Sequence, residues 1–219
     1  ADLSSRIAAM EIDRTVGAAF AFLVVGISLK LALFPLHLWL PNAYTYAPSV
    51  VSAFLAATAT KVGVYVLLRF LFTIFNVKFS FGVMPLDGIL LVLAVIAMFS
   101  ASVVAIFQEN IKRMLAYSSV AQIGYMVLGI SLVTVDGLTA TIVHLFNHAL
   151  IKGALFLVMG AVCYRISSSH IDDFAGLARR MPWTMAAFVA GGLSLIGVPL
   201  TAGFVSKWNL VLAALSIDL

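Results

Sequence analysis

GILLVLAVIAMFSASVVAIF, residues 88–107, is apolar on every side of any regular element it could form. About 20 such residues are what an α-helix needs to cross the hydrocarbon core of a bilayer. A membrane barrel strand would be about 10 residues long with alternating polarity, so the stretch excludes a β-barrel and leaves helices to do the spanning. Working outward, the uncharged runs 31–60, 114–135 and 181–206 reach the same length. The whole chain agrees. Of 219 residues, 63% are apolar and 10% charged, and the mean hydropathy is +1.13. A soluble domain has about 25% charged residues, so too few remain here to cover a wetted surface.

The net charge of +4 does not indicate a nucleic-acid partner, because the basic residues are scattered singly through apolar sequence. The lone cysteine, Cys163, excludes a disulfide framework and the clustered thiolates of iron–sulfur or structural zinc sites. Neither a G-x-G-x-x-G run nor a cysteine cluster is present, so no redox cofactor is expected, and neither is a metal. The chain opens at Ala1 on an amphipathic, charged segment, 1–14, that is unlike a signal peptide. The expectation is an internal piece of a longer protein, 1–219 being a single membrane domain with no soluble domain.

Apolar stretches set against their punctuation predict six spans, at 15–40, 49–75, 84–108, 114–134, 137–164 and 182–215. The segment 40–48, with two prolines and two tyrosines, reads as a tight re-entry at the lipid–water boundary. Alternate loops then carry Arg6, Arg14, Arg69 and Lys78 on one side, and Lys112, Arg113, Arg165, Arg179 and Arg180 on the other. The excess of basic residues places the second side in the cytoplasm.

Four lysines, Lys30, Lys61, Lys152 and Lys207, fall inside these spans. A charge at the centre of a membrane helix costs about 2.5–3.5 kcal/mol even on the lenient insertion scale, so each needs a reason. Snorkelling to the headgroups suits Arg69 near a span end and suits Lys61, close to mid-span, least. Apart from Asp87 at the very start of the third, no span contains Asp or Glu to pair with them. Either acids on other helices or subunits face these lysines, or burial leaves them uncharged, and both situations suit a proton path.

The fifth span adds His144 and His148 to Lys152, at steps of four residues. That spacing puts the three on one helical face with a rise of about 6 Å per step. The result is a ladder of groups that gain and lose protons. A zinc pair is the competing reading, but HLFNH (144–148) lacks the glutamate of H-E-x-x-H. Interhelical hydrogen bonding is another.

Two spans are broken by proline: Pro35 follows Lys30 by five residues, and GVP (197–199) precedes Lys207 by eight. Proline frees a backbone carbonyl, and discontinuous helices at matching positions of two internal repeats line the sites of transporters. An ordinary proline kink competes with this reading. The carbonyls freed at 197–199 are expected to stay unpaired and to bring water to Lys207.

These strings are themselves diagnostic. KLALFPLHLWLP (30–41), APSVVSA (47–53) with KVGVY (61–65), NIKRMLAYSS (110–119) with QIGY (122–125), HLFNHALIK (144–152) and GVPLTAGFVSK (197–207) occur in this order. Together they resemble the antiporter-like proton-translocating membrane subunits shared by respiratory complex I and the multisubunit Mrp-type sodium/proton antiporters. The resemblance implies an all-α polytopic bundle, here the seventh to twelfth of about fourteen helices in an inverted-repeat fold. It also implies a proton relay through Lys30, Lys61, His144, His148, Lys152 and Lys207. A glutamate that pairs with the counterpart of Lys30 belongs, in that family, to a helix ahead of Ala1. The implied partners are other membrane subunits, with protons and sodium as cargo and lipid around them, in the inner (plasma) membrane of the cell. Within the family, DFAGLARRMPWTMAA (173–187) and FVSKWNLVL (204–212) look most like the D-type subunit of the Mrp-type antiporters. The alternative is an antiporter-like subunit of NADH:quinone oxidoreductase or a related hydrogenase. A purely structural membrane subunit would have no need of four costly lysines.

Overall fold

A computed structural model describes residues 14–217; the segment before Arg14, with Arg6, lies outside the described residues. All regular structure in it is helical. The elements are α1 (Arg14–Leu31), α2 (Trp39–Tyr46), α3 (Ser49–Leu68), α4 (Leu86–Ile106), α5 (Ile111–Ser131), α6 (Val135–Ile166), the short α7 (Leu177–Arg180), α8 (Pro182–Ile196) and α9 (Ala202–Leu215). Two π-helical turns, Arg69–Ile74 and Lys78–Val83, join α3 to α4. Helices 14–31, 49–74, 86–106, 111–131 and 135–166 are long and apolar enough to cross a membrane. The sixth predicted span is divided into α8 and α9, of 15 and 14 residues. At 32 residues, α6 is about 48 Å long and exceeds the hydrocarbon thickness.

Both proline-broken spans are present, and in both a side chain donates to backbone carbonyl oxygen beside the break. After α1 the chain turns through Ala32 at φ 61° and a cis Phe34–Pro35 bond, and the Trp39 indole N–H donates to Leu29 O at 2.9 Å. After α8 it turns through Gly197 at φ 90° and Leu200 at φ 74°, and the Lys207 ammonium donates to Leu195 O and Ile196 O at 2.9 and 3.1 Å. The expectation that these carbonyls stay unpaired is therefore corrected: Lys207 itself satisfies them. The predicted re-entry turn at 40–48 is also corrected. Residues 39–46 are helical, and the turn is confined to Ala47 and Pro48. Pro41 sits in the first turn of α2, where backbone N–H groups have no intrahelical partner to lose.

The helices pack through small residues. On α4 the buried positions are Leu90, Ala94, Ala97, Ala101 and Ala105, a ridge that lets α5 approach closely. A methyl group on Gly124 of α5 would meet Ala94 O and Met98 Cγ, each at 2.8 Å. One on Gly129 would collide with Thr141 Oγ1 of α6 and with Leu210 Cδ2 of α9. Thr141 Oγ1 donates to Met126 O at 3.1 Å across the same contact.

The α4–α5 and α6–α7 loops are tied together. Ile111 N donates to Ser169 O and Ile171 N to Glu109 O, both at 2.9 Å. The Asn110 amide donates to Ser169 Oγ at 2.7 Å, while Asn110 Oδ1 caps α5 through Arg113 N. Segments 109–113 and 165–180 therefore lie at one end of the bundle, which groups Lys112, Arg113, Arg165, Arg179 and Arg180 as the charge count did.

Two measurements check this packing. With Cys163 replaced by Ser, the single-cysteine variants E109C and R180C should react with an impermeant maleimide from the same side of the membrane, and D136C from the other; labelling of E109C and R180C from opposite sides would contradict the fold. Gly129→Ala should destabilise the folded protein by about 1–3 kcal/mol through overpacking. Gly26→Ala, with nothing near the added methyl, should leave thermal unfolding in detergent unchanged.

Candidate functional site

The helix α6 carries the basic ladder along its buried face. Residues 137, 141, 144, 148, 152, 155 and 159 are all buried, at steps of three and four. The stripe follows from the sequence, since small or apolar residues occupy those positions on either side of the basic groups. The His144 and His148 rings lie nearly parallel with centroids 6.2 Å apart, one helical step.

Each rung has its own surroundings. Lys152 is fully buried, and its ammonium donates to Leu115 O at 2.6 Å and Ser118 Oγ at 2.5 Å, both on α5. Ser118 Oγ in turn donates to Leu115 O at 2.9 Å. His144 Nδ1 lies 2.9 Å from Ser206 Oγ on α9. The Ser206 hydroxyl donates to Gly203 O at 3.1 Å, so its free lone pairs receive the His144 Nδ1–H. His144 Nε2 is then left an acceptor without a protein partner. His148 is 1% exposed, and neither of its nitrogens has a hydrogen-bond partner.

The other predicted lysines divide. Lys61 of α3 is 5% exposed, and its ammonium reaches back to Ala56 O on its own helix. Lys207 of α9 is half-buried, with its ammonium 4.7 Å above the centre of the Tyr125 ring as well as on the two carbonyls of the break. The His144 ring lies 5.9 Å from that same tyrosine ring. His148 is within electrostatic reach of Lys61, Lys152, His144 and Lys207, and Lys152 of Lys61. Five of the six residues thus form one cluster.

Lys30 is not brought into it. It is the penultimate residue of α1 and exposed, because the buried stripe of that helix runs through Phe20, Val24, Ile27, Ser28 and Leu31. It lines an open groove of about 810 Å³ with Leu29, Trp39, Phe54 and Thr58.

Sequence reasoning missed the uncharged members. Ser118 and Tyr125 of α5 meet the ladder at Lys152 and His144, Ser206 of α9 holds His144, and Gln122 is buried on α5 between the first two. Their only signal is a polar stripe at steps of four and three through an apolar helix. His37, beside the first break, is buried and stacks on Phe34 at 5.4 Å with its Nδ1 unpartnered. Among the described residues, no three of His, Cys, Asp or Glu converge as a metal site. Chemically, the cluster is a row of ionisable basic groups enclosed by apolar helices.

Comparison with known proteins places this arrangement. The sequence over residues 2–219 matches the family described as "NADH:quinone oxidoreductase/Mrp antiporter, TM". It is 45% identical over 215 residues to NADH-quinone oxidoreductase subunit N of Desulforudis audaxviator, covering 98% of this chain and 42% of that protein. To the D-type subunit of the Na(+)/H(+) antiporter of Alkalihalophilus pseudofirmus it is 33% identical over 214 residues, covering 98% and 43%. A chain in the structure of the Mrp complex from Dietzia sp. DQ12-45-1b superposes with a TM-score of 0.88 at 32% identity, covering 94% of this chain and 38% of that one. The chain therefore spans about two fifths of the length of the curated relatives it matches. A match over nearly every residue, carried by the helices that hold the buried cluster, makes this chain a member of the NADH:quinone oxidoreductase/Mrp antiporter transmembrane family.

Proposed function

We propose that this chain is the helical core of a proton-translocating subunit in a multisubunit membrane complex of the cell's plasma membrane, forming with the rest of its protein a single membrane domain. Protons pass among Lys61, His144, His148, Lys152 and Lys207. The observation that carries the reading is the fully buried Lys152, held by Leu115 O and Ser118 Oγ with no carboxylate bonded to it among the described residues. A scaffold has no use for a group that costs so much to bury, whereas intramembrane ionisable residues mark ion and proton paths. Lys30 stands apart at the groove beside α3, where an acidic side chain from another helix or subunit can reach it and extend the path.

The comparisons support two kinds of complex. Identity to subunit N of the NADH-quinone oxidoreductase is higher than to the D-type subunit of the antiporter, which supports a proton-pumping arm of a dehydrogenase whose redox chemistry occurs in other subunits. The superposition on the Mrp complex supports the second reading, a D-type subunit exchanging protons for sodium. Purification of the intact complex separates them: flavin and iron–sulfur subunits accompany the first, and small membrane subunits alone the second.

Lys61 tests the relay. In the full-length subunit within its complex, Lys61→Ala should abolish proton translocation in sealed vesicles while the complex still assembles. Lys61→Arg should also fail, because a guanidinium keeps its proton at any physiological pH. Wild-type translocation by the arginine variant would remove Lys61 from the path.

A further inference from the structure

The helices α5 and α6 run antiparallel, and two contacts fix their register. Lys152 Nζ sits on Ser118 Oγ at 2.5 Å, and the His144 ring sits 5.9 Å from the Tyr125 ring. Between those levels α6 carries His148, four residues from each neighbour in the ladder. Between them α5 carries Gln122, four residues after Ser118 and three before Tyr125, on the same face. The register therefore sets Gln122 level with His148.

That level differs from the two beside it. Lys152 and the Nδ1 of His144 are hydrogen-bonded to protein groups. Gln122, 6% exposed, has an unpartnered Oε1, and both nitrogens of His148 are unpartnered. These are three of the seven buried side-chain atoms without a partner among the described residues. Such atoms cost free energy unless they find one another or a bridging water. A carboxamide suits an imidazole here because it both donates and accepts, and so serves either tautomer.

We propose that Gln122 is the positioning residue of His148: its carboxamide, directly or through one water, is the hydrogen-bond partner that sets the tautomer and orientation of the ring between Lys152 and His144. This rests on the relay proposed above. An imidazole that must receive a proton from one side and release it to the other needs its N–H and its lone pair aimed along the ladder. Without Gln122 nothing within the α5 stripe at that level can aim them.

The test uses the full-length subunit in its complex, in sealed membrane vesicles. Gln122→Leu should lower proton translocation at least about tenfold at unchanged complex content, the range expected for losing one hydrogen bond to a group that becomes charged. It should also shift the His148 ring vibrations in isotope-edited infrared difference spectra. Gln122→His, which again donates and accepts, should restore both. Wild-type translocation by Gln122→Leu, an unmoved ring band, or a Gln122→His variant as inactive as the leucine variant would each overturn the proposal. Should Gln122→Leu fail to assemble, Gln122→Met, which keeps the length of the side chain, gives the same readouts. A normal Gln122→Leu beside an inactive Lys61→Ala removes this inference alone, whereas a normal Lys61→Ala removes the relay beneath it.

Discussion

The structure depends on how an ammonium group is held inside an apolar helix bundle. Lys152 is completely enclosed, so its N–H groups must find partners in the protein, and two of the three donate to a carbonyl and a hydroxyl rather than to a carboxylate. A buried ion pair would hold the charge firmly. Neutral acceptors hold the ammonium without pairing it to a fixed negative charge. The close packing of α5 against α6, set by Gly129 and Thr141, puts Leu115 and Ser118 where Lys152 needs them.

The same economy governs the two breaks. Unwound backbone at membrane depth exposes carbonyls, which in hydrocarbon must be satisfied from within the protein. At the first break the Trp39 indole N–H adds to the Ala32 N–H on Leu29 O, and at the second the ammonium of Lys207 takes Leu195 O and Ile196 O. The two solutions differ in kind. An indole keeps its proton, so the first break is pinned, whereas at the second one titratable group holds both the freed carbonyls and the face of the Tyr125 ring. The cluster and the second break thus share one residue.

Much of this was legible in the sequence, for identifiable reasons. Apolar runs of membrane length separate at Lys78 and Asp87, at Glu109 to Arg113 and at Asp136, because the acidic residues lie only at or beyond the helix ends. Pro35 and Pro199 mark the breaks because proline has no N–H to give. Lys61, Lys152 and the two histidines stand out because ionisable groups are costly where they are. The failures are equally physical. Pro41 reads as a turn when counted by residue type, although the first turn of a helix tolerates it. Lys30 reads as an interior lysine by position in a span, and in this chain it lies off the buried stripe of α1, on the open groove beside α3. Ser118, Gln122, Tyr125 and Ser206 carry no charge, and their part in the site emerges only from the register between helices, which no single segment encodes.

The claim at the centre is that the buried basic groups carry protons rather than hold the bundle together, and Lys152 poses the question most sharply. Methionine preserves its length and packing without a titratable group. Proton translocation by sealed vesicles containing the full complex with Lys152→Met is the decisive measurement: a relay through Lys152 requires an assembled complex that no longer translocates protons, and translocation at the wild-type rate would show that Lys152 carries none.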